Sequence, residues 1–363
     1  MYPLVDTDSC ITCGICEKVC PVINPYNSHD PIKCLAARNK DENIRLNSSS
    51  GGLFSVLAEK IIEENGVVFG ARYDDNWQVL MDYSESKDGL AAFRGSKYVQ
   101  ANTGDTYKLC EEFLKLGRKV LYSGTPCQIS GLKHYLRKEY DNLLTVDFVC
   151  HGVPSPKVWR RYLDEICDNH QPNNISMRNK TVGWKNYQIT IEYKTENNSS
   201  VVLTCHHDKN EYIKAFIYGM TLRPSCHQCL YKNCRSHSDI TLADFWGIHH
   251  FHPDFDDDKG VSQILVNSQK GLNAIPLHLV KYIETTEHEG YSHNPAIFES
   301  ARPWSRRKQF FDGLDNADSI VAHINFCLRP TVSMRIRHIL WLPKHALYLL
   351  YKSTMKLLNR NDD

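Results

Sequence analysis

The sequence has no excess charge of either sign: 43 Lys and Arg stand against 42 Asp and Glu, a formal net charge of +1. A surface that tracks phosphates normally shows as a basic excess, so nucleic acid is not an expected partner. No apolar run approaches the roughly 18 uninterrupted residues that a spanning helix needs. The opening MYPLVDTDSC lacks the basic stretch and apolar core of an export signal, so a cytoplasmic setting is expected. No G-x-G-x-x-G run stands between strand and helix signals, which excludes a Rossmann-type nucleotide site. Repeats and low-complexity tracts are missing too. The acidic FHPDFDDDKG lacks the ligand spacing of an EF-hand and reads as a solvated loop.

What the chain has in quantity is cysteine, 14 in 363 residues. Without an export signal these are expected to be thiols, metal ligands or redox groups rather than disulfides. Cys110, Cys167, Cys205 and Cys327 stand singly and read as small apolar side chains. Cys10, Cys13, Cys16 and Cys20 do not: CITCGICEKVCP is C-x2-C-x2-C-x3-C-P, the bacterial ferredoxin run for a 4Fe-4S cluster, with Gly14 easing the turn. Structural zinc favours two knuckles a dozen or more residues apart and fits this stretch less well. In two-cluster ferredoxins the fourth cysteine of each run serves the other cluster, and no second run is present. Cys20 or Cys34 is then the fourth ligand, or the sequence begins inside a two-cluster module.

Beyond residue 40 the pattern becomes helix and strand in alternation. Leu53, Phe54, Leu57, Ile61 and Ile62 recur at helical spacing behind Ser48–Ser50, which offer N-cap oxygens, and Gly66 is the stop. VVFGARY and WQVLMDY read as strands, followed by helix TYKLCEEFLKLG, strand KVLYSG, helix QISGLKHYLRKEY and strand LLTVDFVC. This predicts an α/β fold, a mostly parallel sheet flanked by helices behind a small ferredoxin-like module. YQITIEYKT and SSVVLTC around ENNSS read as a β-hairpin. The expected division is a cluster module at 1–34, two parts of one cofactor domain at 35–118 and 119–300, and a basic helical tail at 301–363.

Cys127 and Cys150 each follow a predicted strand, which in a parallel sheet puts both at the carboxyl edge, where such proteins bind ligands. Cys226 and Cys229 form a C-x2-C knuckle in LRPSCHQCLYKNCRSH, close to Cys234 and His237. Either the two strand-end thiols and the knuckle make one four-thiol site, or Cys226, Cys229, Cys234 and His237 make a zinc site. The glycine-rich SSSGG offers a helix start to a phosphate, although such starts also occur as ordinary caps.

The segments SSSGGLFSVLAEKI, FRGSKYVQANTG, GTPCQISGLKHYL, VDFVCHGVPSPKVWRRYL and SCHQC with SDITLADFWGI closely resemble the coenzyme F420 hydrogenase/dehydrogenase beta subunit family, over about residues 40 to 270. That family also includes a reductase of chlorophyll biosynthesis. The resemblance implies FAD and an iron-sulfur cluster, with the core cluster on Cys127, Cys150, Cys226 and Cys229 and Cys234 outside the shared set. It also implies a flavin site at Ser49, Ser50, Gly51, Gly52, Ser96, Lys97, Tyr98 and Thr125. A flavin takes up electrons in pairs and iron-sulfur clusters carry them singly, so the expected function is an FAD-dependent iron-sulfur oxidoreductase acting on a small organic substrate. The alternatives are an electron-transfer subunit of a larger redox complex and a zinc-stabilised binding module. A ferredoxin or another subunit is the expected redox partner.

His151 and Asp244 are candidates for acid-base work, each with a structural role as the simpler reading. The histidines at 249, 250 and 252 read as surface loop residues. From Ser319 to Asn361 there are seven Lys and Arg and no Asp or Glu, with Trp341, Leu342, Leu347, Leu349, Leu350, Leu357 and Leu358 among them. This stretch is expected to lie on an anionic membrane or to dock on protein.

Overall fold

The computed structural model describes residues 4–330. Its strands, in chain order, are β1 (Lys33–Asn39), β2 (Val67–Tyr73), β3 (Val79–Ser84), β4 (Val120–Ser123), β5 (Leu143–Phe148), β6 (Pro172–Asn179), β7 (Gln188–Lys194), β8 (Ser200–His206), β9 (Ile240–Asp244), β10 (Ser262–Val266) and β11 (Val280–Thr285). Eight of them make one sheet in the order β11-β1-β10-β9-β5-β4-β2-β3, and β6-β7-β8 make a second. The α/β expectation is met. β2, β4, β5 and β9 run parallel through the middle of the large sheet, with antiparallel neighbours on both flanks.

Strands in a parallel centre are covered on both faces, which is why β4 reads as a nearly unbroken apolar run. Val120 and Tyr122 point to the side covered by helices α2 (Thr106–Lys115) and α3 (Pro126–Leu136), whereas Leu121 points to the other. On that other side lies a helix preceding both in the chain, Leu53–Glu63, which buries Leu53, Val56, Leu57, Ala58 and Ile61 against Leu35, Val68, Leu144 and Ile264. Fully burying a Leu, Ile or Val side chain contributes about 1.5–3 kcal/mol, so this face anchors the Ser48–Gly52 turn. The serines do not cap the helix. Its N-cap is Gly52 in the left-handed region (φ 81°), because Ser48 donates back to the Ile44 carbonyl (2.7 Å) and Ser50 to the Val261 carbonyl (2.8 Å).

The predicted hairpin is the β7–β8 pair, widened by β6 into the second sheet. This sheet shares a core with Trp159, Tyr162 and Leu163 of Pro156–Ile166, and with Phe310, Leu314, Ile320 and Ile324. Residues 301–330 are therefore part of the fold and not a basic tail: apolar side chains of Arg307–Gly313 and Ile320–Leu328 are buried in it. The tail residues expected to meet a membrane or a partner, Trp341 to Leu358, lie outside the described residues. Among the described residues no helix is long and apolar enough to cross a membrane.

The acidic loop is a clasp and not a solvated connection. Asp257 pairs with Arg38 (2.7 Å) and with both terminal nitrogens of Arg45 (2.5 and 2.8 Å), whose side chain is fully buried and also donates to the Gly260 carbonyl. Asp256 pairs with Lys185 (2.5 Å). A buried guanidinium requires such a partner, and the loop supplies it.

Candidate metal centre

β4, β5 and β9 are parallel neighbours, so the segments that leave β4 and β5 emerge on one edge of the sheet. Leaving β4, the chain turns into α3, and Cys127 sits in the first turn of that helix behind Pro126. The Thr125 N–H and hydroxyl both donate to Gln128 Oε1 (2.9 and 3.0 Å), fixing the helix start, and Thr125 Oγ1 lies 3.1 Å from Cys127 Sγ. Two residues beyond β5 stands Cys150. Lys232 Nζ donates to its carbonyl (2.6 Å) and to that of Ala296 (2.7 Å), tying the loop of the third segment to the second. Gly152 (φ 142°) makes the approach possible: a Cβ there would stand 2.7 Å from Leu222 and 3.2 Å from Cys226. In that third segment the Cys229 N–H donates to Ser300 Oγ (2.9 Å).

Cys127, Cys150, Cys226 and Cys229 thereby line one cavity, with Phe148, Val149, Val153, Leu265 and Ile297 as its apolar walls. Burial pushes the Cys127, Cys150 and Cys226 thiols up, and neighbouring thiolates add to it. Only a strong positive charge among them would let the set ionise together. Among the described residues, no group of three or more His, Cys, Asp or Glu is gathered closely enough to hold a single metal ion. The donor set, all sulfur from three segments around one cavity, fits a cysteine-ligated cluster.

Of the rival zinc set, Cys226, Cys229 and Cys234 line the same cavity, and His237 does not. Cys234 is packed against Cys34 and Leu265, and the His237 ring stacks on Tyr26 (4.5 Å) with Nε2 at the Asn27 carbonyl (2.9 Å). Cys34, a candidate fourth ligand for the ferredoxin run, is buried in β1 between β10 and β11, and burial pushes its thiol up to about 12. Cys10, Cys13 and Cys16 are exposed on a loop that turns at Gly14 (φ 69°), and Cys20 is half-buried. The N-terminal segment docks on the same helix that carries Cys127. The Asn24 N–H donates to the Cys20 carbonyl (2.9 Å), and the Asn24 carbonyl faces His134 Nε2 (2.7 Å) in α3. Tyr231 lines the cavity of the inner set. Burial raises its hydroxyl to about 12, with the fields of Cys127, Cys229 and Cys20 all reaching it.

The other candidates divide. Ser49 and Ser96 meet, hydroxyl to hydroxyl, at 2.7 Å. Gly51 is not open to a ligand: its N–H donates to Ser262 Oγ (3.0 Å), and a Cβ would meet the Ala37 carbonyl oxygen at 2.5 Å. Gly52 packs beside Asn39, and Lys97 turns back to the Arg94 carbonyl (2.9 Å). Tyr98 stacks on Phe216 (4.6 Å), in the apolar cluster against which Cys226 also packs. His151 Nε2 meets the Ile217 carbonyl (3.0 Å). Asp244 pairs with the buried Arg178 (2.5 Å), and Arg178 Nε and Nη2 have no partner. His249 and His252 lie 3.7 and 3.4 Å from Asp256 and Glu289, carboxylates that no local spacing announces. Arg178, Lys180, Tyr231, Lys232 and Asp147 were not singled out by sequence. Only Tyr231 and Lys232, inside the cysteine-rich CLYKNC, carried any local signal.

An α/β chain with a ferredoxin-type cysteine run ahead of its sheet and four further thiols at the sheet edge belongs to the iron-sulfur class of electron-transfer proteins. More particularly, the chain belongs to the coenzyme F420 hydrogenase/dehydrogenase beta subunit family, whose N-terminal model matches residues 34–106 and whose C-terminal model matches residues 117–290. A 4Fe-4S binding domain model matches residues 1–22. Among solved structures, a chain of the F420-reducing [NiFe] hydrogenase complex from Methanosarcina barkeri is similar, with 17% identity over 70% of this chain and 83% of that one, at a TM-score of 0.49. No curated protein sequence matches.

Proposed function

We propose that the chain is a flavin-dependent iron-sulfur oxidoreductase that works beside other subunits, with one 4Fe-4S cluster on Cys10, Cys13, Cys16 and Cys20 and a second on Cys127, Cys150, Cys226 and Cys229. The observation that carries this reading is the single cavity that Cys127, Cys150, Cys226 and Cys229 line from three segments, with Cys234 as a fifth cysteine in its wall. Cys20 is favoured over Cys34 as the remaining N-terminal ligand because Cys34 is held inside the sheet. Bound clusters would carry electrons singly, and a flavin would exchange them in pairs with an organic substrate. The chain's own part is to hold the N-terminal segment, through His134, on the helix that carries Cys127.

For the flavin, support comes from the paired hydroxyls of Ser49 and Ser96, from Tyr98 on the wall shared with Cys226, and from Arg178. The guanidinium of Arg178 lies over the Tyr187 ring (4.5 Å to its centre) and near Trp246 (5.4 Å), with two N–H groups free for an acceptor-rich ring system. Lys180 Nζ donates to the carbonyls of Arg45, Ser50 and Lys259 (2.6–2.9 Å) and so fixes the turn that carries Ser49.

The experiment is anaerobic purification of the full chain with measurement of iron, sulfide, zinc and flavin beside the visible spectrum. About eight iron and eight sulfide per chain with bound flavin is the expected result. A colourless protein with stoichiometric zinc overturns the reading. Turnover of a reduced artificial donor with substrate by the isolated chain separates an enzyme from a subunit that only relays electrons.

A further inference from the structure

We infer that Asp147 is a positioning residue that sets the reduction potential of the core cysteine site. The inference rests on the reading that Cys127, Cys150, Cys226 and Cys229 hold a cluster. Asp147 is the penultimate residue of β5 and lines the cavity those four thiols share. It is 2% exposed. Ser236 Oγ donates to its Oδ2 (2.5 Å), Oδ1 has no partner at close range, and the Thr241 and Ser238 hydroxyls add to the stabilisation of the carboxylate. The groups around it come from four directions: Ser236, Ser238 and the Cys234 thiol on the segment before β9, Thr241 in β9, Leu265 in β10, and His29 from the N-terminal segment.

A carboxyl oxygen buried without a partner costs about 1–3 kcal/mol, more when charged, so an apolar residue here would make a more stable strand. What the acid supplies is a fixed charge and an open acceptor in the low-dielectric wall of the cavity. There it opposes addition of an electron, and net charge and hydrogen bonding around a cluster are what tune its potential. Burial raises the acid to about 6, so the carboxylate form prevails at neutral pH. Asp147 is three positions before Cys150 along the strand exit and acts through the cavity, not as a ligand.

The test is Asp147→Asn in the full chain, purified anaerobically, with iron and sulfide counted and the two cluster potentials separated by a redox titration followed by electron paramagnetic resonance. The expected result is full iron, an N-terminal potential that does not move, and a core potential raised by a tenfold change in the one-electron equilibrium, about 59 mV. Ser236→Ala removes the hydrogen bond that favours the carboxylate, pushes the acid toward its neutral form and is expected to shift the core potential upward, in the same direction as Asp147→Asn. Full iron with an unmoved core potential in Asp147→Asn overturns the inference. If that variant loses its core iron, an unmoved potential in Ser236→Ala overturns it instead. A wild-type chain with iron at the N-terminal site alone sinks both the cluster reading and this inference, a result distinct from an iron-replete chain whose potential stays put.

Discussion

The two cysteine sets differ in where their geometry comes from. Cys10 to Cys20 fall within one short loop and helix, are largely exposed, and touch the rest of the fold through the strap around Asn24 and Asn27. The core set draws Cys127 from a helix start, Cys150 from a strand exit and Cys226 with Cys229 from a loop; Thr125 meets the Cys127 thiol, while Lys232 and Ser300 hold the Cys150 and Cys229 backbone and Gly152 leaves room for Cys226. A local set can organise around its own metal; a dispersed set exists only when the sheet has already formed. The first is a motif, and the second is a property of the tertiary structure.

The largest expected effect breaks this comparison most directly. Cys226→Ser is expected to abolish core iron, about half the total, and to lower thermal stability, because the site ties three segments together. Cys13→Ser should remove only the N-terminal half and leave the melting temperature of the sheet unchanged. Iron and sulfide analysis with a thermal melt reads both. Equal loss of stability in the two variants would contradict the distinction. Gly152→Ala comes next. It touches no thiol, yet a Cβ at 2.7 Å from Leu222 in a left-handed backbone must push the Cys150 loop off Cys226. Core iron should fall several-fold with N-terminal iron intact, measured in the same way.

A third change attacks the scaffold from a distance. Asp257→Ala leaves the fully buried Arg45 cation with little beyond the Gly260 carbonyl and a solvent-exposed contact to Glu42. Breaking a fully buried pair on one side costs about 3–5 kcal/mol, and because the Asp257 side chain is 35% exposed the loss here falls below that range, to be read as a shift in denaturant midpoint. Core iron should follow the loss of stability, while the ferredoxin-type loop should keep its iron in the protein that remains folded.

The same contrast explains what the sequence disclosed. β4 and β5 were legible because strands covered on both faces carry unbroken apolar runs, and the Cys10–Cys20 run was legible because its ligands are neighbours in the chain. The core set was legible as one of two alternatives, from strand-end placement and the C-x2-C knuckle, and family resemblance chose between them, since no spacing rule connects residue 127 to residue 229. Asp257 was misread as solvated because its partner Arg45 lies more than two hundred residues away in the sequence. The serines of SSSGG looked like caps, and their hydroxyls went instead to carbonyls at Ile44 and Val261. Asp147 gave no signal at all: one acid at the end of an apolar strand acquires meaning only from the cavity beside it.

The smallest expected effect sharpens the comparison at the seam between the two sets. The ring of His134 meets the Asn24 carbonyl at one nitrogen and the Ser130 carbonyl at the other (2.7 and 2.8 Å), and Tyr26 packs on its face at 4.5 Å. His134→Leu fills the same apolar contact but takes the ring nitrogens away from the Asn24 and Ser130 carbonyls, a net loss of about 1 kcal/mol. That is too little to unfold the sheet and enough to raise the open population of the strap about fivefold. Limited proteolysis within residues 21–32 should accelerate by that factor, with both iron counts unchanged. If the N-terminal iron is lost along with the dock, the ferredoxin-type run depends on the fold as the core set does, and the two sets differ only in their spacing along the chain.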